Sequence, residues 1–190
     1  MKVLKPIIFL LIIVLSFTNC KSKVTPKDPN VETYFSIKQF LDDQWENRKG
    51  IPYTLLKIST FNGKMDSSIV GLDSILWQGI RTKFDPADIS STEFLGQYDF
   101  NSFEEKEMDL TTLHYQAKNK DLFMQVMNID IDDFTNRIRS VYIETSKENA
   151  IYKKTEKLLF VPDNLIQIQE FEKSMVSPAK NMKISYRFDY

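Results

Sequence analysis

Apolar positions in this 190-residue chain follow three successive patterns. Pro6 to Leu15 is an almost unbroken aliphatic run. Between Asn30 and Phe84 two stretches repeat at helical spacing, with a pair of strand-like segments between them. From Glu93 onward the period falls to two, which places one face of each segment against a core and the other toward water.

The spacing predicts a helix over Asn30–Lys49, with Tyr34, Ile37, Leu41 and Trp45 on one stripe and Lys38, Asp42, Asp43 and Glu46 off it. Asn30 is the expected cap, and Gly50 with Pro52 the stop. Strands are expected over Tyr53–Phe61 and Lys64–Val70. Asn62-Gly63 joins them, because a two-residue hairpin turn needs positive φ at both positions. A second helix follows over Asp73–Phe84, capped by Asp73 and ended by Asp85-Pro86, with Leu72, Ile75, Leu76, Gly79, Ile80 and Phe84 as its apolar face.

Further strands are expected near Thr111–Ala117, Leu122–Asp130, Arg137–Thr145, Ile151–Phe160, Leu165–Lys173 and Met182–Phe188. Short turns at Lys118–Asp121, Asp132–Asn136, Ser146–Asn149 and Val161–Asn164 permit antiparallel neighbours and no parallel crossovers. The expected fold class is α+β: helix, β-hairpin, helix, then an antiparallel meander of about six or seven strands packed on the helices. No repeat of solenoid or propeller period is visible.

Composition changes this picture little. Fourteen phenylalanines and 13% aromatic residues can bury enough apolar surface to offset ordering entropy. Charge narrows the function classes. The chain carries 25 basic and 26 acidic residues. Loss of Lys2 and Lys5 with a leader leaves 23 against 26. So balanced a chain lacks the clustered basic field of a nucleic-acid binder, and no nucleic-acid partner is expected.

The aliphatic run is too short for a permanent span but has the length of a signal h-region behind the basic Met1–Lys5. Ser16-Phe17-Thr18-Asn19-Cys20 follows, and Cys20 is the one cysteine in the chain. This resembles the lipobox of bacterial lipoproteins, whose Cys is acylated and becomes the mature N-terminus. Phe17 and Asn19 stand where the usual box has Leu and a small residue. The resemblance implies a signal peptide over residues 1–19, lipidation at Cys20, a polar Pro-containing tether over residues 20–30, and a single domain over residues 31–190. Known sorting rules, applied to Lys21 and the basic residues after it, imply the outer membrane facing the periplasm.

Candidate chemistry is sparse. His114 is the only histidine, which removes most zinc sites and the usual histidine-based triads. It is expected on the polar face of a strand. Asn128–Asn136 is rich in Asp and Asn but does not fit a calcium loop: counted from Asp130, Phe134 falls on a ligand position, Thr135 on the turn glycine and Val141 on the closing Glu. No metal site and no cofactor is expected. Glu104–Asp109 reads as an acidic hairpin tip. Leu122–Met127 is apolar on both faces, as in a central strand covered on both sides or a lining for an apolar ligand.

The order of Tyr34–Phe40, Asn62-Gly63-Lys64, Phe84–Ile89, Leu113–Ala117, Glu148–Tyr152, Leu159–Pro162 and Ile184–Phe188 resembles a family of uncharacterised Gram-negative lipoproteins. That resemblance implies fold and compartment and assigns no catalytic residue. The expected function is a membrane-anchored, non-enzymatic binding module. It would hold an apolar ligand between sheet and helices, or dock an outer-envelope protein. The alternatives are an envelope hydrolase using carboxylates and a purely structural tethered lipoprotein.

Overall fold

The computed structural model describes residues 33–188. Cys20, the leader and the tether lie outside them, as does the expected cap Asn30. The first helix, α1, covers Ile37–Glu46 and is shorter than expected. Ser36 caps it instead, its hydroxyl accepting a hydrogen bond from Gln39 N at 3.2 Å. Ile37, Phe40 and Leu41 are its buried residues. Helix α2 covers Ser74–Phe84, with Asp73 at the cap accepting from Leu76 N at 2.8 Å. It buries Trp77, Ile80 and Phe84, whereas Ile75, expected on the apolar face, points to water at 81% exposure. The Asp85-Pro86 stop is a short 3₁₀ turn over Asp85–Ala87.

Nine strands form one antiparallel sheet: β1 Thr54–Phe61, β2 Lys64–Gly71, β3 Tyr98–Glu105, β4 Leu110–Ala117, β5 Met124–Asp132, β6 Ile138–Asn149, β7 Tyr152–Val161, β8 Leu165–Ser174 and β9 Lys180–Arg187. The sheet order is β2-β1-β9-β8-β7-β6-β5-β4-β3. The expected six or seven strands undercount the sheet, because the early hairpin is part of it and because β3, whose residues after Tyr98 are all exposed, falls outside the expected strands. β1 pairs with β9, with Leu56 opposite Arg187, so the first and last strands are neighbours. The Asn62-Gly63 turn has positive φ at both residues, 47° and 83°, as its hairpin geometry requires. Ser146–Asn149 is not a turn. β6 runs on through it, pairing with β7 as far as Asn149–Tyr152, and the chain reverses over Ala150-Ile151.

Cross-strand partners in an antiparallel sheet share a face. Phe160 lies opposite Ile166 and Val141, and Leu158 opposite Ile168 and Ile143. All six are buried, so this face meets the helices. Phe160 is the hub: the rings of Phe40, Trp77 and Phe84 meet it edge-on at centroid distances of 5.5, 6.0 and 6.2 Å. Trp45 stacks on Trp77 at 5.5 Å. The Leu122–Met127 run is resolved by a β-bulge. The register shifts between Met124 and Val126, so Met124 and Met127 both face the core despite their odd spacing. Residues 33–190 form one compact unit that contains the whole buried core and every strand pairing, so this unit has what it needs to fold alone.

Three polar ties seat the helices. The Asp88 carboxylate accepts from Ser36 Oγ at 2.7 Å and Lys38 N at 2.9 Å. Arg81 of α2 pairs with Asp42 of α1. Arg48, just past α1, is buried, lies over the Phe188 ring and pairs with Asp163 in the β7–β8 turn at 2.6 Å.

Candidate functional site

The rows that are apolar beneath the helices become charged farther along the same strands. Beyond Leu158 and Ile168, the helix-facing row continues with Glu156 opposite Glu170 and Thr145, then Lys154 opposite Glu172 and Lys147. α2 ends above this region and adds Lys83. Lys83 Nζ donates to Glu156 at 3.3 Å and to Glu170 at 2.9 Å. Lys154 Nζ lies 3.1 Å from Glu156 and 2.8 Å from Glu170. Two ammoniums and two carboxylates thus neutralise one another in a square. Glu156 and Glu170 are only 6% and 14% exposed, so this mutual pairing is what permits their burial.

The electrostatics follow from the geometry. Burial alone would raise the Glu170 carboxyl, but the hydrogen bonds from Lys154 and Lys83 outweigh it and hold the group at about 2. Burial alone would lower the Lys154 ammonium, and its bonds to Glu170 and Glu156 overcome that and raise it. Glu170 therefore stays ionised at neutral pH and has no proton to donate, and Lys154 stays an ammonium and is no nucleophile. Converging carboxylates are what a hydrolase would need. Here both are paired with lysines, and Glu170 is held ionised near neutral pH.

An open groove lies over this square. One part, about 360 Å³, is lined by Thr82, Lys83, Phe123, Thr145, Tyr152 and Lys154 among others. A second part, about 1020 Å³, shares Pro86, Phe123 and Lys147 with the first and extends past Lys120 and Lys153. The groove's lining is polar and of mixed charge, with Asp121, Glu148 and Glu156 among the lysines and Phe123 and Tyr152 as its aromatic residues. A third cavity of about 580 Å³ lies by Arg48, Asp43 and Asp163. Phe40, Trp77, Phe84 and Phe160 fill the centre of the space between helices and sheet, and the third cavity reaches its edge at Phe40 and Ile138.

The residues singled out in the sequence lie elsewhere. His114 stands on the face opposite the helices, half-buried, with Nδ1 2.7 Å from Asn128 Oδ1. The Asp-rich turn is internally satisfied. Asp132 accepts from Thr135 N at 2.8 Å and from Arg139 Nη2 at 2.6 Å, and these bonds, the backbone one foremost, hold its carboxyl at about 2. Asp130 accepts from Thr112 and Ser140 hydroxyls. Among the described residues no group of three His, Cys, Asp or Glu side chains is placed to hold a metal ion. Glu104–Asp109 spans the end of β3 and the exposed β3–β4 turn. The Leu122–Met127 strand is covered by helices on one face only.

Lys83, Lys154, Glu156 and Glu170 were missed. The one available signal was the break in alternation within β7 and β8, where Glu156 and Glu170 occupy positions that the period assigns to the core. No protein-family model matches the chain, and no curated protein matches it.

Proposed function

We propose that this chain is an envelope lipoprotein, tethered to the outer membrane through lipid on Cys20 and facing the periplasm, whose α+β domain is a non-enzymatic binding module. What carries the reading is the saturated charge square. It gives the groove a charge-neutral floor in which Glu170 stays ionised and Lys154 stays an ammonium. Such a floor suits recognition and does not suit proton transfer.

Of the two binding modes, docking of an envelope partner fits the surface better. An apolar ligand between sheet and helices would need space that the aromatic cluster around Phe160 fills. The docking mode has an open groove and an exposed sheet edge at β2, where Met65 and Ile69 stand in solvent.

Two measurements test the proposal. Metabolic labelling with a fatty acid should mark the wild-type chain and not Cys20→Ser, and Cys20→Ser should leave the membrane fraction. Labelling of the variant would refute the anchor. Native mass spectrometry of the delipidated protein from cells should show no retained apolar ligand. A stoichiometric hydrophobic adduct would refute the docking mode.

A further inference from the structure

Four turns lie together at one end of the sheet: β1–β2, β8–β9, β6–β7 and β4–β5. Backbone bonds join them in sequence along this rim. Asn62 N donates to Asn181 O at 2.8 Å, Met175 N to Ile151 O at 3.0 Å, and Ser146 N to Phe123 O at 2.9 Å. At their tips stand large apolar side chains with nothing over them: Phe61 is 51% exposed, Ile151 58%, Met175 79% and Val176 87%. Solvent exposure of four such groups along one rim is costly unless something covers them.

The collar behind these tips is lysine-rich, with the exposed acids Asp66, Asp121 and Glu148 outnumbered in it. Lys64, Lys120, Lys147, Lys153, Lys173 and Lys180 are all exposed on the same turns and strand ends. Lys153 pairs with Glu148 at 2.8 Å, and Lys180 lies 3.8 Å from Glu172. The other four have no carboxylate partner among the described residues. The opposite end also exposes apolar tips, Met108 at 61% and Phe134 at 79%, but its charge is mainly acidic: Glu104, Glu105, Glu107 and Asp109 with Lys106 at the end of β3 and its turn, Asp132 and Asp133 with Arg137 and Arg139 around the β5–β6 turn, and Asp163 in the β7–β8 turn. A nearly neutral domain is therefore polarised along its strands.

We infer that this rim docks the domain onto an anionic phospholipid surface, with Ile151, Met175 and Val176 entering the headgroup boundary and the lysine collar meeting the lipid phosphates. Three observations select a bilayer over a protein. Apolar tips with lysines just behind them match the layered polarity of a membrane interface. Protein interfaces favour arginine and are depleted in lysine, and these four turns hold lysine and no arginine. The third observation is the position of the domain's own start. Tyr34 is held by its hydroxyl, which donates to Tyr98 O at 3.2 Å and accepts from Gly96 N at 3.0 Å. Tyr98 pairs with Ala117 at the β4–β5 end of the rim, so the chain enters the domain on the side that would face the lipid.

The third observation rests on the proposed anchor at Cys20, but the docking itself concerns the folded unit. Its test therefore uses residues 33–190, with near-ultraviolet circular dichroism confirming that each variant folds. This unit should sediment with phosphatidylcholine vesicles containing phosphatidylglycerol, release as salt is added, and ignore pure phosphatidylcholine. The triple variant Lys120→Gln/Lys147→Gln/Lys173→Gln should lower the partition coefficient about a hundredfold, at about fivefold per lysine. Met175→Asp/Val176→Asp should lower it more than about tenfold. Val176→Trp should blue-shift its emission with anionic vesicles only, whereas Phe134→Asp at the opposite end should change nothing. Failure of folded wild-type domain to bind anionic vesicles at low ionic strength would overturn the inference, as would binding indifferent to the rim variants. Neither result would bear on the Cys20 anchor, which fatty-acid labelling tests separately.

Discussion

Glu170→Gln preserves the shape of the side chain and removes its charge. In the folded protein the Glu170 carboxyl sits at about 2 against an ordinary 4.5, and each pKa unit corresponds to about 1.4 kcal/mol. The linked stabilisation is therefore about 3–4 kcal/mol at neutral pH. The raised Lys154 ammonium reports the same contacts, so its shift is not added. The variant also leaves two ammoniums facing Glu156 alone, and removing one partner of a buried pair costs about 3–5 kcal/mol. At about 2–4 °C per kcal/mol for a domain of this size, the midpoint should fall by about 6–16 °C. Folding lowers this carboxyl, so its contribution is whole above about pH 4.5 and is lost as the pH falls through about 2. Thermal unfolding followed by Trp45 and Trp77 fluorescence from pH 7 to pH 2 should show a wide gap between wild type and variant that closes at the acid end. Adding Lys83→Met restores equal numbers of opposite charges and should recover much of the loss. A gap that persists undiminished at pH 2, or no recovery with Lys83→Met, would refute the reasoning.

Phe160→Ala should cost about 3–5 kcal/mol, because it empties a fully buried site that three rings meet edge-on; a loss under 1 kcal/mol in urea denaturation would contradict its place as the hub. Carbon-detected NMR titration should find the Asp132 carboxyl at about 2, and Arg139→Gln should move it toward the ordinary carboxylate range. An unmoved titration would show that the Arg139 contact at 2.6 Å does not persist in solution.

Local chemistry made much of the fold legible. Asp73 caps α2 because its carboxylate reaches Leu76 N three residues on, and that spacing is written in the chain. Asn62-Gly63 turns β1 into β2 because Gly and Asn tolerate positive φ. Period-two alternation marked the later strands except β3, whose exposed residues carry no core-facing row, and the ends of the others moved, as where β6 absorbs Ser146–Asn149. The cap of α1 was misplaced because Asn30 and Ser36 are equally good caps by composition. Ser36 also bonds Asp88, a residue 52 positions away.

What remained hidden depended on which strands became neighbours. β1 and β9 are joined by no short turn, so no local pattern pairs Leu56 with Arg187. Glu156 and Glu170 looked like interruptions of alternating strands. Register placed them opposite each other, and α2 then brought Lys83 to the pair, making a neutral square of four apparently ordinary surface charges. The same holds for the rim, whose apolar tips lie more than a hundred residues apart in the chain, from Phe61 to Val176. Sequence determines what each residue prefers from its immediate neighbours, so helices, turns and strand periodicity could be read directly. Burial, charge pairing and surface polarity depend on neighbours that only strand register and helix packing bring together, and the tertiary structure alone decided those.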